Sequence, residues 1–254
     1  MKFLIIGDVH GYFGSMFEHL INVQDRGIEY DAVIQCGDFG FYDGVIKSLK
    51  QIINLTNFKK PIYFIDGNHE NHDYLLNNFN SLKKYNVFYQ KRSSITILED
   101  DTKIGWIGGS FNVDRPQYIN GNVSNFPNKK EIDLTIKNIK NSGGVDLIIS
   151  HSCPMNIGIG IVGLPEFQIS AREYISAVGY RPPGIMDIGD ESLTNLWNNL
   201  NGFKPKNWVF AHFHKYHYAK IEKTNFFCVG TCDKIFTKEQ RIYVFDTKTK
   251  EILT

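Results

Sequence analysis

The stretch Phe3-Leu4-Ile5-Ile6-Gly7-Asp8-Val9-His10 joins a short apolar run to an acidic residue and a histidine. Apolar runs of this kind, rich in β-branched and aromatic residues, predict buried parallel strands. Four later runs also end in Asp, Asn or His: residues 32–36 before Gly37-Asp38, 62–65 before Asp66-Gly67-Asn68-His69-Glu70, 147–149 before Ser150-His151, and 208–210 before Ala211-His212-Phe213-His214. Because ligands bind beyond the carboxyl ends of strands in open α/β sheets, we expect these side chains to converge at one sheet edge.

The spacing of the first three groups is typical of alternating strands and helices. Asp8, Asp38 and Asn68 follow one another at intervals of 30 residues, about the length of one strand–helix–strand unit. Apolar residues at helical spacing predict helices at 14–26, 43–56, 73–79, 129–141 and 192–200. Further strands are predicted at 87–90, 94–99, 103–108, 207–211, 217–222, 225–230 and 241–246. We expect one domain over residues 1–254, with an irregular insertion or lid at about 152–190.

Composition narrows the class of protein. The 28 basic and 27 acidic residues leave a net charge of +1, which argues against nucleic-acid binding by bulk charge but leaves a local basic groove open. No apolar run approaches the ~20 residues that cross a bilayer, so we expect no membrane partner and a cytoplasmic location. Cys36, Cys153, Cys228 and Cys232 are expected to be buried thiols, since the Cys228–Cys232 pair lacks a second zinc half-site. The oligomeric state stays open.

The polar residues at the strand ends form a set of metal ligands. Carboxylate, amide and imidazole donors together suit Mn, Fe or Zn, and their number predicts two divalent cations. Asp8 and His10 would share one face of an extended segment, and the same alternation would turn His212 and His214 to one side of Phe213. Asp38 could bridge both cations through its two oxygens. His69 is well placed to protonate a leaving oxygen or to bind a phosphoryl group.

The charge of such a site indicates its chemistry. Two divalent cations, two carboxylates and one hydroxide leave about one positive charge, which attracts phosphate and stabilises its transition state. A bound cation lowers the pKa of water to around 7, and two cations can hold a bridging hydroxide and the phosphoryl oxygens for in-line attack. The sequence therefore predicts a di-metal phosphoester hydrolase.

These motifs resemble those of the calcineurin-like metallophosphoesterase superfamily, over residues 1 to about 230. The resemblance implies a four-layer αββα sandwich of two mixed β-sheets with flanking helices. It implies that Asp8, His10, Asp38 and His214 hold one cation, and that the other is held by Asp38, Asn68, His151 and His212. His69 takes the place of the family's catalytic histidine, and Mn is the cation favoured in vitro.

The chain departs from one branch of that superfamily. Ser/Thr protein phosphatases carry Asp and Arg three and four positions after the Asp of the second motif, where this chain has Phe41 and Tyr42. Arg115 is the first candidate for a substitute phosphate clamp, ahead of Arg172 and Arg181, although it could equally be a surface residue. The motifs are also similar to those of RNA lariat-debranching enzymes, which typically have Cys where this chain has Asp8.

The expected substrate is a nucleotide or nucleic-acid phosphoester. The aromatic residues around the second motif, Phe39, Phe41 and Tyr42, with Phe111 and Tyr118, could stack a base or could pack in the core. Two alternatives stay open. One is a phosphoprotein phosphatase, and the other is a non-catalytic phosphate-binding or interaction module on the same fold.

Overall fold

The computed structural model describes residues 1–110, 126–159, 189–232 and 241–254. The strands of these parts are β1 (Lys2–Ile6), β2 (Ala32–Gln35), β3 (Ile62–Phe64), β4 (Val87–Tyr89), β5 (Ile95–Ile97), β6 (Lys103–Ile107), β7 (Leu147–Ser150), β8 (Asn207–Phe210), β9 (His217–Ile221), β10 (Thr224–Cys228), β11 (Tyr243–Asp246) and β12 (Glu251–Leu253). The helices are α1 (Phe13–Asp25), α2 (Val45–Thr56), α3 (His72–Asn78), α4 (Lys129–Asn141) and α5 (Glu191–Asn199), with a 3-10 helix at Phe79–Tyr85.

The strands form two mixed sheets. The first has the order β12-β11-β1-β2-β3-β4, in which β1 to β4 run parallel and β11 pairs antiparallel with β1. The second has the order β5-β6-β7-β8-β10-β9, in which β6, β7, β8 and β10 run parallel. The carboxyl ends of β1, β2 and β3 therefore share one edge of the first sheet, and those of β7 and β8 share one edge of the second.

Side-chain alternation along β1 shows how the layers pack. Leu4 and Ile6 belong to the core under α1 and α2, whereas Phe3 and Ile5 belong to the core between the two sheets. A third core lies between the second sheet and helices α4 and α5. The order of layers is thus helix, sheet, sheet, helix, which confirms the predicted αββα sandwich of two mixed β-sheets.

The predicted elements agree with the structure in type, and most boundaries lie within two residues. The 3-10 helix and the short edge strand β12 were not predicted. Residues 160–188, most of the predicted insertion, lie outside the described residues. Within the described residues no helix has the length and apolar character needed to cross a membrane. All four cysteines are buried and free of disulfides, as predicted.

Truncation of Ile149 tests the core between the sheets. Ile149 is fully buried there, so we expect Ile149→Ala to lower the free energy of unfolding by about 2–5 kcal/mol. Leu55 on α2 is 84% exposed, and Leu55→Ala should change it by less than about 0.5 kcal/mol. Urea titration of both variants measures the difference, and equal midpoints would contradict this description of the core.

Candidate metal centre

Hydrogen bonds hold the loops at the strand ends together. The amides of Val9 and His10 donate to the carbonyl oxygen of Asp38, at 2.9 and 2.7 Å. The amide of Ala211 donates to the carbonyl oxygen of His151 at 2.9 Å, while His151 Nδ1 lies 2.8 Å from the Cys36 carbonyl oxygen. The last of these contacts joins the second sheet to the first. The loops are therefore fixed across both sheets.

Asp8, His10 and His214 form one group whose donor atoms lie within 4.8 Å of one another. His10 Nε2 is 3.0 Å from His214 Nε2, and Asp8 Oδ1 is 4.0 and 3.6 Å from these two nitrogens. Three donors at this separation could hold one divalent cation.

Asp38, His151 and His212 form a second group with the same spacing. His151 Nε2 lies 3.3 Å from Asp38 Oδ2 and 3.1 Å from Asn68 Oδ1. The rings of His151 and His212 are 5.0 Å apart between centroids. The amide oxygen of Asn68 thus lies next to this group, and its role as a ligand stays a prediction.

The two groups adjoin through their carboxylates. Asp38 Oδ2 lies 3.9 Å from His10 Nδ1 of the first group, and Asp8 Oδ1 lies 3.9 Å from His151 Nε2 of the second. Asp8 Oδ1 is buried and has no hydrogen-bond donor among the described residues. A buried carboxylate oxygen without a donor carries a large desolvation cost. The donor set and this oxygen fit divalent cations.

The side chains reach the centre through left-handed backbone, which the sequence did not predict. The φ angles are +50° at His10, +52° at Asp38, +67° at His212 and +53° at His214. Strand alternation therefore does not orient these residues, and that part of the prediction was wrong. His212 and His214 point to different groups because the strand ends at Phe210 and the backbone then turns.

Glycine is required at two positions where backbone and ligands approach closely. A Cβ atom at Gly67 would meet the Asp38 carboxylate and lie 2.7 Å from His151 Nε2. Gly37 has a φ of +95°, and a Cβ atom there would lie 2.9 Å from the Cβ of His151. The space between the loops is therefore reserved for the ligand side chains.

Burial and opposite charge set the titration of the centre. Burial alone would raise the pKa of Asp38, but the adjacent His151 lowers it well below its ordinary value. Burial would lower the pKa of His151, but the Asp38 carboxylate raises it. The pKa of His212 falls to about 3, through burial and then through the charge of His151. A cation that binds His151 would displace a proton from its imidazolium, so metal binding would release a proton.

His69 and Glu70 lie beside the second group. The His69 amide donates to Asp38 Oδ1 at 2.8 Å, and its half-buried ring lies 5.3 Å from the ring of His10. The Glu70 carboxylate accepts from the amides of Gly40 and Gly67, at 3.0 and 2.6 Å. Burial and the Asp38 charge raise the pKa of Glu70 to about 7. Glu70 thus joins the loops that carry Asp38 and Asn68.

Sequence reasoning missed the buried ion pair between Asp66 and Arg92. Asp66 directly precedes the Gly67-Asn68-His69 loop, and its Oδ2 accepts from Arg92 Nε at 2.9 Å and Nη2 at 2.6 Å. Burial alone would raise the pKa of Asp66, but Arg92 and His72 hold it below its ordinary value. Arg92 lies in a turn without a motif, so the only available signal was the position of Asp66 beside a ligand loop.

The departure from the protein phosphatases has a structural counterpart. Phe41 is fully buried and packs on Tyr74, with ring centroids 5.5 Å apart, so it belongs to the core. Phe39 is likewise buried, on Phe64, whereas Tyr42 is 42% exposed. Arg115, proposed as the phosphate clamp, lies outside the described residues, as do Phe111, Tyr118, Arg172 and Arg181.

Comparison with known proteins agrees with this geometry. The sequence profile of the calcineurin-like phosphoesterases matches residues 1–216. A lariat debranching enzyme of Entamoeba histolytica is 27% identical, in an alignment that covers 89% of this chain and 67% of that enzyme.

Solved structures share the fold at low sequence identity. A protein of Thermus thermophilus aligns with a TM-score of 0.65 at 11% identity, covering 99% of this chain and 96% of its own. A putative 5'-nucleotidase of Staphylococcus aureus aligns with a TM-score of 0.53 at 14% identity, covering 96% of this chain and 50% of its own.

Gly67→Ala tests the close approach at the centre. The added Cβ atom would occupy the space between Asp38 and His151, so we expect at least tenfold weaker binding of one Mn²⁺ equivalent, as for other disturbances next to metal ligands. The control is Gly14→Ala on α1, where a Cβ atom meets nothing within 4 Å. Gly14→Ala should leave Mn²⁺ binding unchanged and raise the free energy of unfolding by up to about 1 kcal/mol. Isothermal titration with Mn²⁺ compares them, and equal affinities would count against this geometry.

Asp66→Asn tests the buried ion pair through pH. Asp66 has a lowered pKa in the folded state, so its stabilisation is present above its unfolded pKa of about 3.9 and is lost as the pH falls below it. We expect the free energy of unfolding of the variant to be about 3–5 kcal/mol lower than that of the wild type at neutral pH, and the two values to converge in acid. Asp133→Asn, which disturbs the exposed Lys129 pair, should cost less than about 1 kcal/mol. Urea titrations across the pH range measure this, and a pH-independent difference would exclude the ion pair as its source.

Proposed function

Because the chain belongs to the calcineurin-like phosphoesterase family and is a metal-dependent phosphoesterase, we propose that it hydrolyses a nucleotide or nucleic-acid phosphoester at a centre of two divalent cations. The observation that carries the proposal is Asp8 Oδ1, a buried oxygen without a donor that faces the nitrogens of His10, His151 and His214 at 3.6–4.0 Å. A cation beside Asp8 Oδ1 would satisfy this oxygen and would be bound by the nitrogens of His10 and His214, while a second cation would be bound by His151.

The proposed ligand sets share one carboxylate. Asp8, His10, Asp38 and His214 would hold the first cation, and Asp38, Asn68, His151 and His212 would hold the second. The position of Asp38 supports its place in both sets, because its Oδ2 lies within 3.9 Å of nitrogens from both groups. Manganese is the cation we propose for assays in vitro, since mixed carboxylate and imidazole donors suit it.

The chain's own residues would set the geometry of the reaction. When bound, the two cations supply positive charge and an activated water for in-line attack on phosphorus. The half-buried His69 lies beside the centre, and the hydrogen bond from its amide to Asp38 fixes its backbone there. We assign to its imidazole the transfer of a proton to the leaving oxygen. Asp38 thus connects the ligand sets with the proton donor.

Two features support the substrate class. The 27% identity to a lariat debranching enzyme favours a nucleic-acid or nucleotide diester. The burial of Phe41 and the exposed phenol of Tyr42, at the positions of the phosphatase Asp and Arg, weigh against a phosphoprotein substrate. Retention of seven proposed ligands and His69 weighs against a non-catalytic module.

Hydrolysis of two chromogenic esters tests the proposal. With Mn²⁺ added, we expect bis-p-nitrophenyl phosphate to be hydrolysed faster than p-nitrophenyl phosphate. His69→Ala should lower kcat by about 10²–10⁴-fold, because a proton donor is lost, while both cations stay bound. Absorbance at the nitrophenolate band gives kcat, and elemental analysis gives the metal content.

The control is His217→Gln on β9, which can keep the contact of its side chain with the Ile157 carbonyl oxygen. Its kcat should equal that of the wild type. A faster monoester reaction would shift the substrate class to nucleotide monoesters or phosphoproteins. Full activity of His69→Ala would remove the assigned proton donor, and metal-loaded protein inert on both esters would favour the non-catalytic alternative.

A further inference from the structure

We propose that Arg92 is a positioning residue, which acts through Asp66 to set the place of Asn68 and His69 at the centre. The inference rests on the proposed function, because it takes Asn68 as a ligand and His69 as the proton donor. Arg92 itself would touch neither cation nor substrate, since its guanidinium contacts Asp66, Phe126 and Glu131 and its side chain is only 9% exposed.

The Asp66 carboxylate is held on both oxygens. Oδ2 accepts from Arg92 Nε and Nη2, at 2.9 and 2.6 Å, and lies 3.2 Å from His72 Nε2. Oδ1 accepts from the Tyr89 hydroxyl at 2.9 Å, while the backbone oxygen of Asp66 accepts from the Gly109 amide at 2.8 Å. The residue just before the ligand loop is therefore fixed in position and in orientation.

The other side of Arg92 is anchored on the second sheet's helix layer. Its Nη1 donates to the Phe126 carbonyl oxygen at 3.1 Å and lies 3.4 Å from Glu131 Oε2. Glu131 also belongs to the capping box at the start of α4, where its carboxylate accepts from the Asn128 amide at 2.8 Å. Arg92 thus transmits the position of α4 to the end of β3 in the first sheet.

The loop from Asp66 to His72 is held by contacts between its own residues. Glu70 accepts from the Gly67 amide, and His72 Nε2 lies 3.2 Å from the Gly67 carbonyl oxygen. The absence of a side chain at Gly67 lets the backbone approach Asp38 closely. A displacement of Asp66 would therefore be passed on to Asn68, whose amide oxygen is 3.1 Å from His151 Nε2.

The geometry requires the guanidinium fork and not only a positive charge. Two nitrogens of Arg92 meet one oxygen of Asp66 while a third reaches Phe126 on the opposite side. A lysine ammonium is a point charge that cannot span these partners with the same orientation. Arg92→Lys therefore keeps the charge and removes the positioning.

The experiment compares Mn²⁺ binding and turnover in Arg92→Lys, Tyr89→Phe and the wild type. We expect Arg92→Lys to bind one Mn²⁺ equivalent as the wild type does and the second about 10–100-fold more weakly, with a matching loss of the spin-coupled Mn²⁺ signal in electron paramagnetic resonance. Its kcat on bis-p-nitrophenyl phosphate should fall by about tenfold or more with KM changed less than about threefold. Tyr89→Phe removes only one donor to Asp66, so it keeps the test valid if Arg92→Lys does not fold. We expect its affinity for the same Mn²⁺ equivalent to fall by a smaller factor.

Thr247→Val is the matched control. Thr247 is buried in another polar cluster between the sheets, where its hydroxyl accepts from the Met1 amino group at 2.6 Å. It lies at the opposite end of β1 from Asp8, because it follows β11, in which Asp246 pairs with Lys2. We expect lower thermal stability in this variant with unchanged Mn²⁺ stoichiometry and spin coupling.

The outcomes separate the inference from the proposed function. The inference would be overturned if Arg92→Lys binds both Mn²⁺ equivalents with the affinities of the wild type. If Arg92→Lys does not fold, the same result for a folded Tyr89→Phe would overturn it. The inference would also be overturned if Thr247→Val, at the same stability as Arg92→Lys, binds the second Mn²⁺ equivalent just as weakly. If the wild type binds fewer than two equivalents, or if Asn68→Ala binds both as the wild type does, the failure lies in the proposed ligand sets instead.

Discussion

Two carboxylates without access to water, Asp8 and Asp38, impose the charge balance around which the rest of this structure is arranged. A buried ion needs opposite charge at short range. Four imidazoles from three loops lie against these carboxylates, and a protonated imidazole or a bound cation can supply that charge. No single strand could bring these groups together. The parallel strands of two sheets do so, because their carboxyl ends lie together and the loops that follow them are joined by hydrogen bonds, including the contact of His151 Nδ1 with the Cys36 carbonyl oxygen.

A second layer of charge lies behind this centre. Asp66 and Glu70 are buried residues on either side of Asn68 and His69, and each is held by groups outside the proposed ligand sets. Arg92 balances Asp66, while Glu70 accepts two backbone amides. The loop that presents Asn68 and His69 is thus held from behind by contacts from both sheets, in the way that outer contacts orient ligands in metal proteins generally.

The family resemblance predicted the layers correctly, and the structure brings together the polar residues that end the apolar runs. The reason for the second result is local. Apolar runs that end in Asp, Asn or His carry both the strand and its functional end within eight residues, as in Phe3 to His10. The orientation of those residues was not predictable in this way, since His10 and Asp38 adopt a left-handed backbone that no strand pattern contains. Arg92 was missed for a different reason: its partners Asp66 and Glu131 lie 26 and 39 residues away, and only the tertiary fold brings them together.

The left-handed residues also bear on how such a protein could change over time. An L-residue other than glycine loses about 1 kcal/mol or more in this conformation, although Asp and His tolerate it better than most. Four of them stand at the centre: His10, Asp38, His212 and His214. Glycine at all four positions would relieve this backbone strain, at the loss of the side chains that form the centre. In a lineage that no longer needs the centre, glycine at these four positions would therefore be the expected sign of its loss.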